Sequence, residues 1–331
     1  MASSTPITTV PRSNVPDTVA GRRGKSIWQR HGMAYLMCMP TVILFLVFMA
    51  FPVGYVLYTS LLKWNGIQSV LDAQFIGLDN YARLVQDSLW WQAVRNTLLY
   101  AIIKIVVELP LALMLAVVLN SGIRGVVGFR TIGFIPVITS IAVVSLAFTF
   151  FFSPLPGAPF NTFLIELGII DRPIAFLGER ATAFWTVTGI AIWHDLGINM
   201  VFFLAALQTV PRDLYDAAQV DGASVRQRFL HIEVPVIRPL TAVIVTLSLA
   251  GSLKVFDYFA VLTGGGPGFS TTTMVLYMFR YTSFGGGGLA GATSQPEVGY
   301  GSAVAIGLGL IILAVVLFQQ WINSLQDKRA G

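Results

Sequence analysis

The sequence predicts an all-α, polytopic integral membrane protein: six transmembrane helices with a two-helix polar loop on one side. Three observations predict it. Of 331 residues, 55% are hydrophobic and 11% are charged, against about 25% charged in a soluble domain, so lipid must take the place of water over much of the surface. Six apolar runs reach the roughly 20 residues that a spanning helix requires. Lysine and arginine are divided unequally between the two sets of segments that join those runs.

The runs, in order, are Met33–Tyr58, Asn96–Leu119, Ile132–Phe152, Phe184–Leu207, Leu240–Leu262 and Gly301–Trp321. Backbone groups in hydrocarbon must bond internally, which makes each run a helix. Pro40, Pro52, Pro110 and Pro136 fall in or beside them and predict kinks or helix edges. Ahead of the first run, residues 1–32 are rich in Ser, Thr, Pro and Arg and read as a disordered basic segment. Residues 33–321 form the membrane domain and 322–331 a short tail. The first run is too long for a signal-peptide core and no small-residue cleavage site follows it.

One set of connecting segments, with both termini, holds thirteen basic residues: Arg12, Arg22, Arg23, Lys25, Arg30, Arg124, Arg130, Arg212, Arg226, Arg228, Arg238, Lys328 and Arg329. The other holds six: Lys63, Arg83, Arg95, Arg172, Arg180 and Arg280. The positive-inside rule places the first set in the cytoplasm. The net charge of +5 is accounted for by this asymmetry, so nucleic acid is not expected as a partner. The single cysteine, Cys38, excludes a disulfide within the chain, and His31, His194 and His231 are scattered, so neither a metal site nor a catalytic site is expected. Gly21-Arg22-Arg23-Gly24-Lys25-Ser26 ends like a phosphate-binding loop but has two residues between its glycines where that loop needs four.

The polar stretch 211–239 lies between two apolar runs. Asp213 is placed to cap a first helix, with Asp216 at its third position near the positive dipole end. Gly222 supplies the left-handed residue that stops it, Ser224 and Gln227 form a capping box for a second helix, and Pro235 ends that one. The small pair Ala217-Ala218 leaves a shallow face that another surface can approach. The loop's acids, Asp213, Asp216, Asp221 and Glu233, outnumber Arg212, Arg226 and Arg228, which argues against a DNA-binding reading.

The spacing Asp216-Ala217-Ala218, Gly222, Ile232-Glu233-Val234-Pro235 resembles the EAA loop of ABC-importer permeases. Phe75-Ile76-Gly77-Leu78-Asp79-Asn80-Tyr81 with Asn96-Thr97, Pro159-Phe160-Asn161-Thr162, Phe256-Asp257 with Leu262-Thr263-Gly264-Gly265-Gly266-Pro267, and Gly299-Tyr300-Gly301-Ser302-Ala303 are similar, in the same order, to stretches of carbohydrate-importer permeases. The family's usual Glu at the start of the loop motif is Asp216 here, and its usual Leu before the loop proline is Val234. The Gly285–Gly288 run with Gly291 looks like an insertion in an external loop. The resemblance implies that Asp213, Asp216, Ala217, Ala218, Asp221, Gly222 and Pro235 couple the chain to an ATPase. It further implies a second, different permease, two ATPase subunits that hold ATP and Mg, an extracytoplasmic substrate-binding protein, and no cofactor in this chain itself.

Charges at membrane depth are costly and face protein or a water-filled path. Lys104 and Glu108 share one helix face, four residues apart, and read equally as a self-neutralising pair or as path-lining groups. Trp193, Asp195, Asn199, Lys254, Asp257 and Tyr258 offer the hydrogen bonds and aromatic faces that hold sugars and are the candidate substrate path. The rival reading is an ion-coupled secondary transporter, for which internal repeats are expected; the two halves show no convincing repeat, and that reading leaves the loop unexplained.

Overall fold

A computed structural model describes residues 27–121, 125–283 and 295–330. The N-terminal basic segment up to residue 26, Arg124 and the Gly285–Gly291 stretch lie outside the described residues, as do the side chains of Lys328 and Arg329. The chain divides into two units between Val53 and Gly54. The first holds α1 (Ile27–Phe45), a π turn (Leu46–Ala50) and the start of α2 (Phe51–Thr59); the span Tyr35–Thr59 lies along these elements. Helix α1 begins six residues ahead of the expected Met33.

The second unit opens with a two-residue antiparallel pair, β1 (Leu62–Lys63) and β2 (Gln74–Phe75), registered Leu62 to Phe75. Next come α3 (Asp79–Gln86) and α4 (Ser88–Ile103), which runs through a π turn (Lys104–Glu108) into α5 (Leu109–Asn120). Helices α6 (Val126–Ile138), α7 (Ile141–Phe151), α8 (Pro159–Glu166), α9 (Ala183–Leu207), α10 (Arg212–Val220) and α11 (Val225–Arg228) follow. A third π turn (Phe229–Glu233) leads into α12 (Val234–Leu253), then α13 (Asp257–Leu262), α14 (Met274–Thr282) and α15 (Val298–Ala330). The last helix is unbroken, so residues 322–330 continue it.

Among the described residues, five segments are long and apolar enough to cross a membrane, and α6 with α7 makes a sixth that bends by 93°. The third predicted run is therefore not one straight helix. Thr139 and Ser140 between its halves take extended backbone (ψ 138° and 132°), and the Thr139 carbonyl oxygen, freed by the break, lies 3.2 Å from His194 Nε2 on α9. A partner 55 residues away in sequence thus satisfies a group that would otherwise be orphaned in hydrocarbon.

Three prolines share one solution. Pro52, Pro110 and Pro235 each stand two residues after the end of a π turn. A proline ring clashes with the carbonyl four residues back and offers no N–H; the wider π turn relieves that conflict, and the helix continues.

Packing is layered along the bundle. At the loop end, Leu109, Ala112, Ala116 and Leu119 of α5 meet Met200, Phe203, Leu204 and Leu207 of α9, with Ile237 and Ile244 of α12. At mid-height, Tyr100, Phe184, Val187, Phe259 and Leu262 form a second cluster. At the far end, Trp90, Val94, Tyr277, Tyr281, Tyr300 and Val304 form a third. Small side chains on α5 let α9 approach closely, the usual device for helix contact in lipid.

Candidate coupling loop and buried polar network

The polar loop folds as two helices set at its own local signals, with three departures from expectation. Helix α10 starts two residues earlier than expected, with Pro211 at the cap position and no side-chain cap. Asp213 is therefore not the cap but the second helical residue, where its charge still favours the positive helix end. Asp216 and Ala217 are exposed, but Ala218 is buried. The alanine pair thus presents one residue outward and one inward. Asp221 and Gly222 are exposed at the loop tip. Gly222 has φ +70°, and the amides of Gly222 and Ala223 donate to the carbonyls of Gln219 (3.2 Å) and Ala218 (2.9 Å), a Schellman closure that only an unhindered residue makes without strain. Ser224 and Gln227 form the expected capping box. Pro235, exposed, does not end the second helix. Through the π turn, α11 runs on into α12.

At mid-membrane, side chains from three segments converge. Lys104 Nζ lies 2.5 Å from Asp195 Oδ2 and 3.7 Å from Glu108 Oε2. Asn199 donates to Glu108 Oε1, and Tyr258 donates to Asp195 Oδ1 at 2.7 Å. His194 Nδ1 lies 2.8 Å from the same carboxylate oxygen and 2.7 Å from the Tyr258 hydroxyl. Glu108 is fully buried and Lys104 nearly so. Lys104 and Glu108 are thus neither a closed intrahelical pair nor separate groups: the lysine bridges two carboxylates on two helices. In a low dielectric such a bridge is strong only while every member is present.

Of the candidate path residues, the fold brings together Asp195, Asn199 and Tyr258 and leaves out three. Trp193 is two residues from Asp195, about 200° around the helix, and faces an aromatic cleft with Trp185, Phe148, Phe152, Phe160 and Phe176. Lys254 and Asp257 flank the joint between α12 and α13, are exposed, and join no ion pair among the described residues. Two loop residues were not anticipated. Tyr215 packs on the loop-end cluster and Glu233 is buried. Tyr215 and Ala218 are three apart on α10, and that spacing was the available sign of its inward face.

Residues 108–330 match the family described as binding-protein-dependent transport system inner membrane component. The chain belongs to this family. It is 35% identical to the probable ABC transporter permease protein YurN of Bacillus subtilis (strain 168), over 86% of this chain and 94% of that protein. It is 34% identical to the arabinooligosaccharides transport system permease protein AraP of the same organism, over 88% of each. Among solved structures it is similar to a chain of the bacterial alginate ABC transporter in complex with alginate pentasaccharide-bound periplasmic protein, with TM-score 0.74 and 26% identity, covering 89% of this chain and 96% of that one. The protein is thus an all-α, multi-pass inner membrane component of an ABC transporter.

Within this inner membrane component, the stretches that carried the resemblance are clamps. Asn80 donates to the carbonyls of Ser60 (2.8 Å) and Leu62 (3.0 Å), Asn96 to those of Ser270 (3.1 Å) and Thr272 (2.9 Å), and Asn161 to those of Ser153 (2.8 Å) and Ile174 (3.0 Å). A Cβ on Gly299 would lie 2.1 Å from the Leu62 carbonyl oxygen, so that position takes only glycine. Each amide satisfies backbone groups in the irregular segments between helices, where no helix supplies a partner.

Proposed function

We propose that this chain forms part of the translocation pathway of an ATP-driven importer for a sugar, oligosaccharide or related polyol. The observation that carries the reading is the α10–Gly222–α11 loop, closed by its own Gly222 turn and Ser224–Gln227 capping box. It is an independently shaped, exposed knob in a chain similar to permeases named for arabinooligosaccharide and alginate transport. On this reading the loop lies in the cytoplasm with both termini, which the basic-residue asymmetry supports. Asp213, Asp216, Ala217, Asp221 and Gly222 meet one of two ATPase subunits, which hold ATP and Mg. Ala218 and Pro235 support that surface from within the loop and at the foot of α12.

A second permease completes the pathway, and an extracytoplasmic binding protein delivers the substrate; the periplasmic partner in the alginate transporter supports this. Closure of the ATPases tilts α9 and α12, the spans on either side of the loop, and shifts the bundle between two packings. This chain makes and breaks no covalent bond. Asp195, Asn199 and Tyr258 offer hydrogen bonds to hydroxyl groups, and Trp193 offers an aromatic face on the opposite side of α9. Lys254 and Asp257 stand where α12 gives way to α13.

The test is to purify the chain from its own membranes, identify what accompanies it, and reconstitute the assembly. An ATPase and a second permease should co-purify, and vesicles should accumulate radiolabelled oligosaccharide only with ATP and the loaded binding protein. Accumulation by this chain alone, without nucleotide, would overturn the reading. One observation favours a second reading, ion coupling: the buried Lys104, Glu108 and His194 and the half-buried Asp195 form a chain of ionisable groups of the kind that relays protons. Collapse of uptake by a protonophore with ATP still present would select it.

A further inference from the structure

The loop holds a second arrangement, turned away from its exposed tip. Arg228, the last residue of α11, places its guanidinium carbon 5.2 Å from the ring centroid of Tyr215 on α10. Its Nε lies 3.6 Å from Glu233 Oε1, at the end of the third π turn. The Tyr215 ring rests on the apolar cluster that includes Leu207, Val210 and Ile237. Glu233 is only 4% exposed. Its other oxygen, Oε2, has no hydrogen-bond partner among the described residues.

Two hollows flank this contact. One, of about 790 Å3, separates α10 from the ends of α5 and α9 and is lined by Asn120, Gln208, Tyr215 and Glu233. The other, of about 490 Å3, lies between α10 and the third π turn and is lined by Ala217, Ala218 and His231. Arg228 lines both and forms the wall between them. Helix α10 is therefore held from beneath by Tyr215 and Ala218, with open space on either side of Arg228. Its backbone joins α9 through residues 208–211 and α11 through the Gly222 turn, and the Tyr215, Arg228 and Glu233 contacts add a side-chain link toward α12.

Burying a charge seldom adds stability unless every lone pair is satisfied, and here Glu233 is buried while the Arg228 side chain stays 36% exposed. Arg228 Nε is likewise without a hydrogen-bond partner among the described residues, so the pair is a poor stabiliser, but it joins α11 to the end of the π turn and suits a mechanical contact. Its last member stands two residues before Pro235, at a π turn, a feature frequent at functional positions. We propose that Tyr215, Arg228 and Glu233 form a strut that conveys movement of α10 to α12. The strut rests on the reading of the loop as the ATPase contact, and it assigns these three residues to transmission rather than to docking.

The experiment uses the assembly purified from its own membranes and reconstituted with ATP and the loaded binding protein, with Glu233→Gln, Arg228→Gln, Tyr215→Ala and Tyr215→Phe variants. It measures three quantities: ATPase retained per chain, ATP hydrolysed and oligosaccharide taken up. The first three variants should retain the ATPase within about twofold of the wild type while uptake per ATP falls at least tenfold. Tyr215→Phe, which keeps the ring beneath Arg228, should couple within about twofold of normal. The exchange Arg228→Glu with Glu233→Arg should recover at least a third of the lost coupling. An unchanged uptake-to-hydrolysis ratio in Glu233→Gln and Arg228→Gln would overturn the strut. So would loss of ATPase and uptake in equal proportion, since that is the behaviour of a docking or folding defect. Absence of any ATPase from the wild-type assembly would instead sink the docking reading on which the strut rests.

Discussion

Asp87 shows how a single side chain holds the end of the bundle opposite the polar loop. It caps α4 by accepting from the Leu89 amide at 2.9 Å, and its other oxygen accepts from the hydroxyls of Tyr277 and Tyr300. Burial opposes its ionisation, but the bonds donated by Tyr277, Tyr300 and the backbone outweigh that and hold the carboxyl below its ordinary range. A carboxyl with a depressed folded value stabilises the protein fully above its unfolded pKa, about 3.9, and loses that contribution as pH falls through the folded value. The stability difference between wild type and Asp87→Asn should therefore be constant from pH 7 to about 5 and shrink below about 4. Thermal unfolding across that range measures it, and a difference that grows on acidification would contradict the assignment. At the same end, Arg83 pairs with Glu297 and lies 4.0 Å from the Tyr300 ring centroid.

At the scale of elements, close approach decides what the helices tolerate. Where α9 crosses α6, a Cβ on Gly197 would lie 2.2 Å from the Gly133 carbonyl oxygen, whereas one on Gly189 meets nothing within 4 Å. Gly197→Ala should cost about 1–3 kcal/mol by overpacking, while Gly189→Ala should be neutral or gain up to about 1 kcal/mol from helix propensity. Melting temperatures in detergent separate the two, and equal effects would refute the crossing. The polar loop divides in the same way. Ala217→Trp, on its outer face, should release the ATPase while membrane insertion and folded yield stay normal. Ala218→Trp should lower the folded yield itself, because that side chain points into the loop. Co-purification against total chain distinguishes them, and retention of the ATPase by Ala217→Trp would place the docking face elsewhere.

For the whole molecule, the mid-membrane network ties the α4–α5 span to α9 and α13. Removing one member of a buried charge group leaves its partners uncompensated and costs about 3–5 kcal/mol. Lys104→Met strands Glu108 and Asp195 together and should abolish monodisperse protein or lower its melting point steeply. Lys254→Met alters an exposed lysine and should leave both unchanged. Size-exclusion profiles test the contrast, and a stable Lys104→Met chain would show that the carboxylates do not need the lysine. Asp257→Ala, also exposed, should keep normal assembly but reduce uptake; undiminished uptake of every oligosaccharide tried would remove Asp257 from the path.

The sequence by itself determined the membrane class, the positions of the spans, the two-helix loop and its turn chemistry. Each depends on composition or on residues within four positions of one another: apolar run length, the Ser224–Gln227 capping box, the left-handed Gly222. It misjudged Pro235, because the rule that proline ends a helix holds for an α-turn and not after a π turn. Only the tertiary structure decided which membrane-depth charges meet. Lys104 and Asp195 are 91 residues apart, and their contact depends on how two helices rotate and slide against each other, which no local pattern encodes. The inward turn of Ala218, the break at Thr139 and the Tyr215–Arg228–Glu233 contact arise in the same way, from groups whose partners come from a different helix.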